Sequence, residues 1–258
     1  MRDHDRERCE HDRSGRAHDR GQSELLGFAL IFGVVVLAIV LIGTTGFVGL
    51  DSAQEFQRTT NAEQSFTVLA ENIDDVTRRG APSRGTEIRL ADASLSLGVP
   101  ERINVTVGDP TPENTTEVEM HPIVYDSGSG TTIAYSSGAL VRQDGESSVM
   151  LREPNAVLTD ELVLLTIVAT SPNGAGPVGG TSAVDIQTRS AGTEVIAADD
   201  SATNVSIEMT SPRVESWYRF LDGETGADCE EPVGETVTCE IETQRVSVTV
   251  EHVDVRFR

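Results

Sequence analysis

The sequence predicts an α+β protein: a long N-terminal helix, transmembrane at first and then amphipathic, followed by a mainly antiparallel, sandwich-like β domain. Three observations carry this prediction. Residues 25–50 contain no ionisable side chain. Residues 51–80 remain favourable to a helix but place apolar side chains on one stripe. Beyond residue 80 the apolar residues alternate with polar ones, which is the period of a half-buried strand.

Residues 1–21 form a charged leader that we expect to be disordered, because it consists almost entirely of Arg, Asp, His and Glu without apolar periodicity. Its six arginines set the orientation, since acidic residues count little in the positive-inside rule. The sequence therefore predicts a cytoplasmic N-terminus and an extracellular C-terminal domain.

Residues 22–50 are expected to form a single transmembrane helix. A hydrocarbon core of about 30 Å is crossed by about 20 helical residues. Leu, Ile, Val and Phe lie on every side of the helical wheel, so no polar stripe remains for a soluble helix. The five glycines of this segment either let other helices approach closely or reflect the frequency of Gly in membrane helices. The predicted partners of this helix are the membrane and other helices of its kind.

The helix is expected to run from about Ser23 to about Thr77, with residues 51–80 as its amphipathic continuation. Gly80 then supplies a C-cap and Pro82 cannot continue the helix. One apolar stripe would pack on the following domain, and it is assigned to Phe56, Phe66, Leu69, Ile73 and Val76.

Residues 81–258 are expected to form the extracellular β-rich domain. Alternating apolar residues predict strands at 103–107 and 246–255, the latter with a one-residue shift that could be a bulge. The run 162–168 is apolar on both faces and predicts a central strand that is covered on both sides.

One further helix is predicted from Pro212 to Leu221, with Ser211 as its N-cap and the proline in its first turn. It carries the single tryptophan, Trp217. Anchoring of this helix to the sheet is favoured over ligand binding as the role of its aromatic residues.

The two cysteines beyond the leader, Cys229 and Cys239, flank a turn and predict a hairpin disulfide, since an even pair in an extracellular domain is typical of one. A metal site would need further ligands. Three N-glycosylation sequons, all on the proposed outer side, begin at Asn104, Asn114 and Asn204.

The chain of 258 residues carries a net charge of −22, and all 20 basic residues are arginines. Nucleic-acid binding is excluded on this ground, because no basic stripe is offered to phosphates. At molar salt the Debye length falls to about 3 Å, which removes most of the repulsion among the acids. The acidity, the absence of Lys and the 4% of aromatic residues indicate a protein of an extreme halophile.

No catalytic, metal-binding or cofactor-binding motif is found in the sequence. His121 and His252 are the only histidines beyond the leader, and there is no nucleophile elbow, zinc-protease motif or phosphate-binding glycine loop. Acidic residues are so abundant that no pair can be singled out as general acid and base. We therefore expect neither an enzyme nor a cofactor.

The segment Arg20-Gly21-Gln22-Ser23-Glu24, directly before the apolar helix, resembles the class III signal of archaeal type IV prepilins and archaellins. The resemblance implies that a prepilin peptidase cuts after Gly21 and makes Gln22 the mature N-terminus, leaving the helix in place. It also implies other pilin-like subunits as partners of this helix. Glu24 would be the third mature residue, whereas bacterial pilins carry their acid at the fifth. The overall layout, including residues 78–84, also resembles a haloarchaeal family of unknown function.

These expectations favour a pilin-like protein of the cell membrane, anchored by its N-terminal helix and presenting a β-rich head for surface assembly or adhesion. The alternative is an uncleaved single-pass membrane protein that displays a binding or structural β-sandwich domain. A surface enzyme is the third class, and no sequence feature indicates its substrate.

Overall fold

The structure is a computed structural model that describes residues 18–174, 176–201, 203–224 and 226–258. Side chains are described from residue 25 onward, except at 43–52 and in the same gaps. Most of the predicted leader, residues 1–17, therefore lies outside the described residues. The chain divides into two compact units, the first ending at Phe56 and the second spanning Gln57–Arg258.

The first helix, α1, runs His18–Thr77 and so begins before the expected start near Ser23 and ends at the expected residue. At its end the backbone N–H of Ala81 donates to the carbonyl of Asp75 at 2.9 Å. Gly80 has a φ of 72°, the left-handed conformation that commonly follows a helix and that glycine adopts without strain.

The amphipathic stripe of α1 is confirmed except at its first member. Phe66, Leu69, Ile73 and Val76 are buried, whereas Phe56 is 69% exposed. Phe56 precedes Phe66 by ten residues. Over ten residues a helix turns through about 80° less than three full turns. Phe56 therefore lies to the side of the stripe, and its assignment to the stripe was wrong.

The second helix, α2, runs Val214–Gly223. The strands are, in chain order, β1 (Ser83–Arg89), β2 (Ala93–Leu97), β3 (Glu101–Val107), β4 (Thr115–Met120), β5 (Ile123–Asp126), β6 (Thr131–Ser136), β7 (Ala139–Asp144), β8 (Ser147–Arg152), β9 (Ala156–Leu158), β10 (Val163–Pro172), β11 (Val178–Gly180), β12 (Ala183–Asp199), β13 (Thr203–Thr210), β14 (Asp228–Cys229), β15 (Thr236–Thr243) and β16 (Val246–Phe257).

The strands form three sheets. Sheet A has the order β1-β12-β16-β10-β9, sheet B the order β11-β2-β5-β6-β7-β8, and sheet C the order β14-β15-β13-β3-β4. Within the described ranges every pairing of named strands is antiparallel except that of β10 with β16. The α+β class with a mainly antiparallel β domain is therefore confirmed, and three sheets take the place of a two-sheet sandwich.

Two apolar cores hold the second unit together. The first core brings α2 together with strands of all three sheets and includes Trp217, Ile207 and Val248. The second core packs Phe66 and its stripe on α1 against sheets A and B, and Tyr125 is one of its fully buried members. The amphipathic part of α1 thus belongs to the β domain.

Strand β16 contributes to both cores from its two faces. Its buried valines at 246, 248 and 250 lie in the first core, and those at 253 and 255 lie in the second. The one-residue shift in the sequence is therefore a change of buried face within a continuous strand. The register irregularities lie instead on β12, between Ser190 and Gly192 and between Val195 and Ala197, so the bulge expected in β16 was wrong.

The run expected as a central strand forms β10, which is the fourth of five strands in sheet A. Ile167 and Val168 are buried in different cores, whereas Leu164 is 41% exposed. Coverage on both sides is thus found only in the later part of the predicted run.

Helix α2 begins at Val214 and not at Pro212, and its N-cap residue is Arg213, which makes no capping hydrogen bond with its side chain. The hydroxyl of Ser211 accepts from the backbone N–H of Arg213 at 3.0 Å and donates to Glu101 at 2.8 Å. The N-cap assignment of Ser211 was therefore wrong. Trp217 is buried in the first core, as expected for an aromatic residue that anchors the helix.

Candidate functional site

The feature of the molecule that most constrains its function is the apolar window Leu25–Ile42 of α1. It is 18 residues long, and none of it is buried. In the part of the chain that the structure describes, this is the one helix long and apolar enough to cross a membrane. Such a helix near the N-terminus is either a membrane anchor or a signal sequence.

Water is an unfavourable environment for this window. Its fourteen large apolar side chains, from Leu25 to Ile42, are all exposed, and the rings of Phe28 and Phe32 stack on the surface at 6.1 Å. Removing each such side chain from water contributes about 1.5–3 kcal/mol, so the window as a whole gains on the order of 20 kcal/mol or more from an apolar surrounding. Exposed patches of this kind mark interaction sites.

The predicted processing residues precede this window. Gly21 and Gln22 lie within the backbone of α1, and the side chain of Gln22 is outside the described ones. Cleavage between them stays a prediction.

The disulfide predicted from the cysteine pair is present: Cys229 and Cys239 are bonded, and they lie directly opposite each other on β14 and β15. Cys239 is fully buried in the first core. The bond therefore closes the hairpin onto the packed interior of sheet C.

All three predicted sequons lie on or beside sheet C but differ in access. Asn114 is exposed before β4, where its amide donates to the carbonyl of Asp109 at 3.0 Å. Asn204 is exposed on β13 and donates to Glu240 at 2.6 Å. Asn104 is half-buried in β3. Its amide donates to Glu208 at 2.8 Å. Glycosylation stays a prediction for all three, and Asn114 offers the most accessible amide.

Ion pairs fasten the amphipathic part of α1 to sheet B, and the sequence did not indicate them. Asp74 is buried and pairs with Arg152 of β8. About three turns earlier on the same side of the helix, Glu63 accepts from Arg142 of β7 at 3.0 Å. These partners are 78 and 79 residues apart in sequence, so no local pattern reveals them.

Arg142 also contacts Asp144, with its Nε 2.8 Å from the carboxylate. The pKa of Asp144 is lowered because the hydroxyl of Thr131 donates to the carboxylate and because Arg142 lies beside it.

The pKa of Glu224 is raised above its ordinary value. The main cause is desolvation by burial, and the negative charge of Glu153 raises it further.

A second buried network surrounds Glu101, which is fully buried at the start of β3. Its carboxylate accepts from Arg213 at 2.9 Å, from Ser211 at 2.8 Å and from Ser136. Because its charge is matched by an arginine and two hydroxyls, this acid has a structural role. It joins sheet C, sheet B and the start of α2.

No group of three or more His, Cys, Asp or Glu residues with the geometry of a metal site occurs among the described residues. The two histidines of the β domain lie on different elements. His121 follows β4 at 3.8 Å from Glu119, and His252 is on β16 at 3.8 Å from Glu194.

These observations define a protein with one exposed apolar N-terminal helix, fit to be a membrane anchor or signal sequence, and a mostly antiparallel β domain with a disulfide. The chain belongs to a family described as a family of unknown function (DUF7289), whose model matches residues 20–256. No curated protein and no solved structure matches the chain.

Proposed function

We propose that this protein is a pilin-like component of the cell envelope of an extreme halophile. A prepilin peptidase removes the leader after Gly21, the apolar helix remains in the membrane, and the β domain is presented outside for surface assembly or adhesion. The observation that carries the proposal is the exposed apolar window Leu25–Ile42, which starts three residues after Gln22.

Two further observations support this function. The family match begins at Arg20, one residue before the proposed cut, so the part of the chain shared with the family is the proposed mature protein together with its cleavage signal. A side chain added at Gly27 or Gly33 would meet no atom within 4 Å, so another helix has room to approach there. Assembly would then proceed through burial of one apolar helix against the next.

The second candidate is the uncleaved single-pass anchor that displays the β domain. One observation favours it: α1 begins at His18, so the bond between Gly21 and Gln22 lies within helical backbone. Proteolysis there requires the first turn of the helix to open locally.

The deciding experiment is the intact mass and N-terminal peptide of the native protein from the membrane fraction, measured by mass spectrometry because an N-terminal Gln can cyclise. The proposal expects a mature chain that begins at Gln22. A chain that begins at Met1 contradicts cleavage and leaves the uncleaved anchor. A chain that begins beyond Ile42 contradicts both candidates, because the helix would then have been a removable signal sequence.

A pair of variants tests the signal itself. Gly21→Val is expected to retain the leader, since the proposed peptidase cuts after this glycine. Gly27→Ala is the matched control, because it alters a glycine of the same helix with no atom within 4 Å of the added methyl group. Equal processing of both variants would contradict the assignment of Gly21 as the last leader residue.

A further inference from the structure

A pocket of about 310 Å³ lies on sheet A, where β1, β12 and β16 run side by side. Four arginines line it, Arg84, Arg189, Arg256 and Arg258, together with the amides of Asn173 and Gln187. The buried residues of these strands, such as Ile186 and Val255, point into the second core. The pocket therefore opens on the face of the sheet that turns away from that core.

A glycine creates the hollow. Gly85, Gln187 and Arg256 form one row across the three strands. A Cβ at Gly85 would lie 2.9 Å from Oδ1 of Asp185, so a larger residue would force that carboxylate to move. The absence of a side chain at this point keeps the floor of the pocket open.

The carboxylates near the pocket are satisfied by neutral donors and not by its arginines. Asp254 accepts from the hydroxyl of Ser171 at 3.4 Å and from the amide of Asn173 at 3.0 Å. Asp185 accepts from the amide of Gln187 at 3.2 Å. Asp254 is itself part of the lining and keeps its negative charge, and the four arginines of the lining outnumber it.

Three of the four arginines are left without a carboxylate partner. Arg84 pairs with Asp75 at 3.0 Å. Arg189, Arg256 and Arg258 form no ion pair within the described parts of the chain. The chain has a net charge of −22, so a pocket that gathers arginines without ion pairs differs in charge from most of the protein. A guanidinium presents a planar fork of donors that matches a carboxylate.

The two amides add a second kind of contact. The amide nitrogens of Asn173 and Gln187 each donate one hydrogen bond, to Asp254 and Asp185, so the carbonyl oxygen and the second N–H of each amide remain for a ligand. A carbonyl oxygen accepts from hydroxyl groups. The pocket thus offers donors to an oxyanion and acceptors to hydroxyls, and its volume lies at the lower end of the range of ligand pockets, about 300–1,000 Å³.

We propose that this pocket binds a saccharide that carries a carboxylate, such as a hexuronate unit of an acidic polysaccharide. Arg189 and Arg256 hold the carboxylate, and the carbonyl oxygens of Asn173 and Gln187 accept from the ring hydroxyls. This site goes beyond the proposed envelope function and does not depend on cleavage of the leader.

The test is calorimetric titration of the full chain in detergent with glucuronate, glucose and inorganic sulfate as separate probes. Glucuronate is expected to bind, and glucose and sulfate to bind about tenfold or more weakly, since each lacks one of the two kinds of contact. Equal binding of sulfate and glucuronate would overturn the saccharide assignment, and no binding of glucuronate would overturn the site.

Matched variants separate the pocket from the overall charge. R189Q/R256Q is expected to weaken glucuronate binding about tenfold or more. R102Q/R245Q changes the net charge by the same amount at exposed positions outside the pocket and is expected to bind as the unaltered chain does. An equal loss in both variants would show that general charge and not this pocket attracts the ligand.

A third variant keeps every charge and fills the hollow. Gly85→Ala adds a methyl group 2.9 Å from Asp185 and is expected to weaken glucuronate binding while the far-UV spectrum stays unchanged. Unaltered binding in this variant, with the fold intact, would contradict the pocket as the binding site.

Discussion

Two parts of the same helix, α1, differ in whether their apolar side chains are exposed or buried. In the window Leu25–Ile42 every described side chain is exposed, on all sides of the helix. In the part from Gln57 to Thr77 most apolar side chains lie on one stripe, although Val68 is exposed, and residues such as Phe66 and Ile73 are completely buried in the second core.

The difference shows that the two parts of α1 need different surroundings. The later part is stabilised by the protein itself, through the second core and the ion pairs of Glu63 and Asp74. The window is exposed along its whole length, and its apolar surface fits a membrane anchor or a signal sequence. One helix thus combines an amphipathic segment that takes part in folding with a uniformly apolar segment that does not.

The largest expected effect comes from placing charge in the window. Val34→Asp together with Leu37→Asp should lower the share of the protein that is found in the membrane fraction on ultracentrifugation. Each charge near the centre of a spanning helix costs about 2.5–3.5 kcal/mol of insertion free energy. As a control, Asn61→Asp with Val68→Asp adds the same charges at exposed positions of the amphipathic part and should leave the distribution unchanged. An unchanged distribution for both variants would remove the distinction between the two parts.

Phe66 and Phe56 offer a matched pair of aromatic residues. Phe66→Ala should lower the free energy of unfolding by about 3–5 kcal/mol, because a completely buried ring is lost and a cavity remains. This ring packs edge-on against Tyr125, with the ring centroids 6.4 Å apart. Phe56→Ala should change the free energy by less than about 0.5 kcal/mol, since this side chain is exposed. Urea unfolding of the full chain in detergent, followed by near-ultraviolet circular dichroism, measures both.

Removal of the disulfide tests whether the stability of the β domain can be changed without a change in membrane association. Replacing Cys229 and Cys239 by Ser should lower the free energy of unfolding by about 3 kcal/mol, since the closed loop is short. The membrane fraction of the protein should stay the same, because the bond lies in sheet C and not in α1. A loss of membrane association at temperatures where the variant is folded would contradict this separation.

The smallest expected effect concerns Asp144, the second carboxylate beside the Arg142 that joins α1 to sheet B. The folded-state pKa of Asp144 lies below its ordinary value of 3.8, so its contribution to stability is present above that pH and is lost as the pH falls through the folded value. Because the side chain is about half exposed, the contribution should be under about 1 kcal/mol.

Asp144→Asn should therefore reduce the dependence of the unfolding free energy on pH between about pH 5 and pH 2. Glu146→Gln, two residues away in the turn, is the control, since Glu146 forms no ion pair within the described chain. The same reduction in both variants would mean that Asp144 contributes nothing specific.

Much of the fold was predictable because its signals are local. The apolar window, the end of α1 at Thr77 and the antiparallel strands all follow from side-chain periods of 3.6 and 2, together with Gly and Pro at the boundaries. The pairing of Cys229 with Cys239 was predictable because there was one cysteine pair beyond the leader and a turn between its members. The start of α2 was misplaced by two residues, because Ser211 is held by a buried acid from β3.

The candidate sites also divide into those that a local sequence motif reveals and those that form only when distant residues come together. The cleavage signal and the sequons are short contiguous motifs, so the sequence alone nominates them. The arginine pocket was missed, because its residues come from three strands and a loop and meet only through the pairing of β1, β12 and β16. Glu101 was missed as well, since one buried acid cannot be distinguished among 42 acidic residues before its partners are known.

By itself the sequence determined the class of the protein: an apolar helix long enough to cross a membrane, an amphipathic continuation and a β domain. The tertiary structure alone decided that β10 pairs in parallel with β16, that β16 turns one face to each of two cores, and that uncommitted arginines gather around Gly85. The physical reason is that alternation tells which side chains are buried but not which strands are neighbours. Neighbours are chosen by packing between residues far apart in the chain.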